Sequence, residues 1–104
     1  MDEQRSDKII VHVDLDLEDL IPGYLANRKS DIAAIHAALG KNDLDTIRIL
    51  GHSMKGSGGG YGFETVTDIG MMIEKAAKEG RNEDIRVQVK RLEDYLRRVE
   101  IVYG

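Results

Sequence analysis

A chain of 104 residues with 41% hydrophobic residues is long enough for one modest core and too short for two. Its net charge of -4, with 33% charged residues, argues against a nucleic-acid partner and describes a mildly acidic, well-solvated surface. The absence of cysteine excludes disulfides and thiolate metal sites, and no apolar run approaches the length of a signal peptide core or a membrane span, so a cytoplasmic location is expected.

The chain opens on the polar stretch MDEQRSD, expected to be mobile, followed by Ile9–Val13, where Ile9, Val11 and Val13 alternate with Ile10 and His12 in the manner of a strand. This piece is expected to lie on the rest of the fold as an extended strap. The alternative is an edge that pairs with a second copy, because a lone strand needs a partner. Residues 1–16 are thus taken as tail and strap, and residues 17–104 as the folded domain.

Four amphipathic stripes follow. Ile21, Leu25, Ile32, Ile35 and Leu39 form the first, with Arg28 interrupting it, Gly40 at its end and Pro22 tolerable only in its first turn. Asn42 or Asp43 can cap the second, which places Leu44, Ile47, Gly51, Met54 and Gly58 along one side. Phe63, Val66, Ile69, Ile73, Ala76 and Ala77 make the third, which stops at Gly80, and Asn82 is expected to cap the next. Ile85, Val89, Leu92, Leu96, Val99 and Tyr103 give the clearest stripe and predict one helix running almost to the C-terminus. Short connections make successive helices antiparallel, so the predicted fold is an all-α, up-down four-helix bundle.

The stretch LGHSMKGSGGGYGF, residues 50–63, holds the chain's main chemical interest. On a helical wheel His52 falls roughly 140° from the centre of the apolar face and therefore points to solvent. Arg48, Lys55, Gly56 and Gly59 share that exposed side. Each glycine inside a helix costs about 1 kcal/mol relative to alanine, which suggests that access has been gained in exchange. A phosphate-cradling loop fits poorly. Lys55 precedes Gly56 and Ser57, whereas a P-loop needs its lysine and hydroxyl after the last glycine, and neither Gly56 nor Gly58 begins a G-x-G-x-x-G run. Ser57 is expected to bond a backbone carbonyl in its own helix. His12 and His36 lack any comparable context, and the three histidines show no spacing suited to zinc. Met71 and Met72 are expected to pack or to lie at the bundle edge.

His52 with Lys55, Gly56, Ser57 and, ten residues past the histidine, Gly62 resembles the H-x-x-K-G-S…G signature of the histidine-containing phosphotransfer (HPt) domain. The likeness extends over residues 17–103, with ALGKNDLDTIRILGHSMKGS and IGMMIEKAAKEG similar to the family's helices around its histidine. The triple glycine Gly58, Gly59 and Gly60 and the strap depart from the family's usual pattern.

The resemblance implies that His52 is a phospho-acceptor in a two-component phosphorelay. Its partners would be a response-regulator receiver domain, a sensor histidine kinase, or both. Lys55 would offset phosphoryl charge, Arg48 would assist at longer range, and Gly56 and Gly59 would leave room for the receiver. It implies a monomeric phosphocarrier rather than an enzyme, with no cofactor of its own, the catalytic aspartate and Mg²⁺ coming from the partner. The rival readings are a helical adaptor that binds receivers without being phosphorylated and, more remotely, a nucleotide-binding glycine loop.

Overall fold

A computed structural model describes residues 8–104; the stretch MDEQRSD lies outside the described residues. In chain order it contains β1 (Ile9–Val13), a 3-10 turn at Leu15–Leu17, α1 (Ile21–Gly40), α2 (Leu44–Ser57), a second 3-10 turn at Gly59–Tyr61, α3 (Glu64–Lys78), α4 (Asn82–Arg98) and β2 (Val99–Tyr103). Each helix packs on the next, and α1 also meets α4, closing a four-helix bundle. Phe63, Ile35, Ile47, Met54, Ile69, Ile73, Ile85 and Leu92 fill its centre.

The helix ends follow from local chemistry. Pro22 occupies the first turn of α1, where its missing N–H is not needed. After Gly40 the left-handed residue is Asn42, at φ 57, and the Asn42 and Asp43 amides return to Leu39 and Ala38. Asp43 then caps α2, accepting from the Thr46 amide at 3.2 Å and from the Thr46 hydroxyl at 2.6 Å. Those two bonds hold its carboxyl below the usual carboxylate range.

The α3–α4 corner differs from expectation. Gly80, at φ 70, and Arg81 send their amides back to Ala77 and Ala76, so Arg81 closes α3 and also takes the cap position of α4. Asn82 is displaced one residue into the helix, where its buried Oδ1 finds no partner among the described residues and does not act as the cap. Glu83 and Asp84 supply the negative charge that the first turn favours.

Two further expectations are corrected. Arg28 does not break the α1 stripe: it is buried at 8% exposure, bonded to Asp31 at 2.8 Å and stacked over the Tyr24 ring at 4.6 Å. Its other arm reaches the Ser57 hydroxyl at 3.3 Å, so Ser57 serves an inter-helix contact instead of the expected bond to a carbonyl of its own helix.

The last helix stops at Arg98, because Val99 is already extended and begins β2. Val99 and Tyr103 are four residues apart, a spacing that suits a helix turn and two steps of a strand equally. The deciding feature is a partner. β1 pairs with β2 in parallel, with Ile9 opposite Val99, Val11 opposite Ile101 and Val13 opposite Tyr103. Val11 and Val13 are buried in the core, Ile9, Val99, Ile101 and Tyr103 pack against it, and Lys8 meets Glu100 at 3.3 Å across the outer side. The strap therefore finds its partner within the same chain.

Candidate functional site

The site is built at the crossing of α2 and α3. Gly51 and Gly70 face each other there: a Cβ at Gly70 would lie 2.5 Å from the Lys55 amide nitrogen and 2.7 Å from the Gly51 carbonyl. The two missing side chains let the helix backbones touch. One residue past Gly51 stands His52, and one turn past Gly70 stands Glu74. The crossing consequently sets a buried carboxylate, 9% exposed, beside an imidazole that is 66% exposed.

Glu74 Oε2 lies 3.0 Å from His52 Nδ1, and Glu74 Oε1 lies 2.9 Å from Lys55 Nζ. Lys78 Nζ stands farther off, 3.7 Å from Oε2. The bond from Lys55 pulls the Glu74 carboxyl down to about 2, overcoming the opposing effect of burial, and the bond from His52 adds to it. Glu74 is therefore an acceptor only, and in the neutral ring Nδ1 must carry the proton. That tautomer leaves the lone pair on Nε2, which has no hydrogen-bond partner among the described residues.

The other residues singled out in the sequence divide. Lys55 joins His52 through Glu74. Arg48 is tied to Asp45 at 2.9 Å and makes no contact with the imidazole. Gly56, one turn past His52, faces open space. Gly59 lies outside the helix, since α2 ends at Ser57, and its amide donates to Thr67 Oγ1 at 2.8 Å. A Cβ at Gly59 would meet only that hydroxyl, at 3.7 Å, whereas one at Gly58 would collide with the Thr67 amide at 2.6 Å. The glycine run thus serves two ends: Gly58 admits the start of α3, and Gly56 leaves the surface beside His52 bare.

His12 is exposed on the strap, and His36 faces Glu93 at 3.4 Å. Neither is part of the His52 cluster. Among the described residues no group of His, Asp or Glu could hold a metal ion, and no helix is long and apolar enough to cross a membrane. Met71 and Met72 are both exposed, as is Ile49, one turn before His52.

A family model for the Hpt domain matches residues 19–101. The chain belongs to the Hpt domain family. Hpt domains carry phosphoryl groups in two-component signalling, where they meet receiver domains and kinases, and they are phosphocarriers rather than enzymes of the usual kind. The bundle described above is the fold that such a domain requires. No curated protein and no solved structure gives a significant match to this Hpt chain.

Glu74 is the site residue that the sequence reading missed. Its only trace there is a carboxylate four residues after Gly70, at the margin of a buried stripe. Its depressed ionisation makes a prediction. Between an unfolded value near 4.5 and a folded value of about 2, the folded form binds fewer protons than the unfolded one. The stabilisation is present in full above about pH 5 and is lost as pH falls towards about 2. Thermal melts of Glu74→Gln, taken over that interval, should show a shallower loss of melting temperature than the wild-type protein. Parallel curves would mean that Glu74 is not charged and paired as described.

Proposed function

We propose that His52 accepts a phosphoryl group on Nε2 and returns it to a receiver aspartate. The observation that carries this reading is the pairing of Nδ1 with the buried Glu74 carboxylate, which leaves Nε2 without a partner among the described residues on an exposed ring. The Nε2 lone pair attacks the phosphorus of an aspartyl phosphate; the N–P bond forms as the P–O bond breaks, and the aspartate leaves as a carboxylate. The Nδ1 proton stays in place throughout. Positive charge that develops on the ring is stabilised by Glu74, in the way that a buried carboxylate orients and supports a catalytic imidazole elsewhere. The reverse step retraces this path.

Lys55 is the cation available to the phosphoryl oxygens, one turn from His52. Carboxylates for Mg²⁺ and the acceptor aspartate are assigned to the receiver, because among the described residues the one carboxylate at His52, Glu74, is already engaged by His52 and Lys55. Arg48, Gly56 and Gly59 are assigned to the docking rim. An adaptor that never carries phosphate would have no need of a proton-fixed imidazole beside a lysine.

The test is to incubate the protein with a panel of phosphorylated receivers and with ATP alone, then locate acid-labile phosphate by mass spectrometry. Label should appear on His52 from a receiver and not from ATP. Label on His52 from ATP without any partner would make the protein a kinase, and none from any receiver would favour the adaptor.

Access can be tested separately. Gly56 lies in the last turn of α2 with open space where a side chain would stand, so Gly56→Leu should leave the melting temperature unchanged or slightly raised. The bulk should nevertheless slow transfer from a receiver by roughly tenfold, the factor carried by about 1.4 kcal/mol. Transfer at the wild-type rate would place the docking face elsewhere. The same argument does not extend to Gly59→Leu, since the helix has ended before it.

A further inference from the structure

Lys55 is asked to serve two anions. In the resting site its ammonium is held by Glu74 Oε1 at 2.9 Å, yet a phosphoryl group on Nε2 would bring nearly two negative charges within reach of the same side chain. If Lys55 turned outward alone, Glu74 would remain buried with only the Nδ1 proton for support, close to a new dianion. A buried carboxylate that loses its cation is strongly disfavoured. The site holds a second cation for this position. Lys78 lies one turn beyond Glu74 on α3, is 59% exposed, and stands 3.7 Å from Oε2. That is within ion-pair range but too far for a hydrogen bond, and a movement of less than one ångström would bring it to the distance Lys55 now keeps.

Resting on the phosphocarrier reading above, we propose that Lys78 is a positioning residue that closes on Glu74 as Lys55 turns from Glu74 to the phosphoryl group. The exchange keeps the buried carboxylate neutralised in both states and frees Lys55 in the phosphorylated one. The N–P and P–O bond changes are unchanged by it, and no proton moves. Among the described residues the groups facing Glu74 are the His52 imidazole and the Lys55 ammonium from α2 and the Lys78 ammonium from its own helix, and no other ammonium contacts the carboxylate. Helix spacing supports the geometry, since residues four apart on one helix lie over one another.

The experiment phosphorylates the full chain with phosphoramidate, a small-molecule donor that needs no partner, and follows the phosphohistidine by ³¹P NMR. A cation at the phosphoryl oxygens lowers the pH at which their resonance titrates. In Lys78→Met, Lys55 stays with Glu74, and the titration should move up by roughly half a unit, a threefold change in proton affinity, towards the position seen in Lys55→Met. Lys78→Arg should restore the wild-type titration. The double variant should be little different from Lys55→Met alone, because both substitutions act through one ammonium. Melting temperatures of unphosphorylated wild type and Lys78→Met should agree, since Lys55 still holds Glu74 there.

A Lys78→Met titration that matches wild type would overturn the exchange while leaving phosphorylation of His52 standing. A large loss of melting temperature in unphosphorylated Lys78→Met would overturn it as well, by making Lys78 an ordinary structural partner. If wild-type His52 takes no phosphoryl group while another residue does, the phosphocarrier reading falls and the exchange falls with it.

Discussion

His52→Gln is expected to abolish phosphoryl acceptance while leaving the fold intact. The imidazole is two-thirds exposed and contributes no packing to the core, so its removal opens no cavity. Glutamine can still present an amide N–H towards Glu74, which keeps the buried carboxylate bonded, but it has no nucleophilic lone pair to replace Nε2. The melting temperature should move by only a few degrees. His12→Gln and His36→Gln should accept phosphate as the wild type does, because His12 is exposed on the strap and His36 faces Glu93 across the bundle. Acid-labile label measured after incubation with a phosphorylated receiver separates these outcomes. Retained label in His52→Gln would transfer the acceptor role to another residue and remove the basis for assigning one to Lys55.

What could be read from the sequence was whatever depends on a single helix. Each apolar stripe reports one face, and the stripes of Ile47, Gly51 and Met54 and of Val66, Ile69 and Ile73 are buried as their periodicity requires. The exposure of His52 follows from the same wheel. Features that depend on two elements meeting were not legible. Glu74 becomes a partner of His52 only because Gly51 and Gly70 let two backbones touch, and neither glycine carries a side chain to advertise the contact. Arg28 looked like an interruption because its partners lie one turn along its own helix, in Asp31, and on another helix, in Ser57. Val99 and Tyr103 looked helical because their spacing suits both periods, and the choice was made by β1, at the opposite end of the chain.

The dependence of the site on the helix crossing leads to the largest expected structural effect. Gly70→Ala adds one methyl group where three neighbours already lie inside normal contact: the Lys55 amide nitrogen at 2.5 Å, Met54 Cβ at 2.6 Å and the Gly51 carbonyl oxygen at 2.7 Å. Two of these are backbone atoms and the third is fixed directly to backbone, so no side chain can rotate away. The helices themselves must separate. Overpacking of this kind costs about 3 kcal/mol, which in a domain of this size lowers the melting temperature by roughly 10 to 20 °C. Alanine's better helix propensity returns only about 1 kcal/mol of this. The same separation carries Glu74 away from His52 Nδ1, now 3.0 Å away, so phosphoryl acceptance should fall even under conditions where the variant is fully folded. Gly56→Ala is the matched control, because its added methyl group meets nothing within 4 Å and should be neutral or mildly stabilising. A Gly70→Ala protein that melts with the wild type and accepts phosphate at the same rate would show that α2 and α3 do not meet through these two glycines, and that the pairing of Glu74 with His52 has some other support.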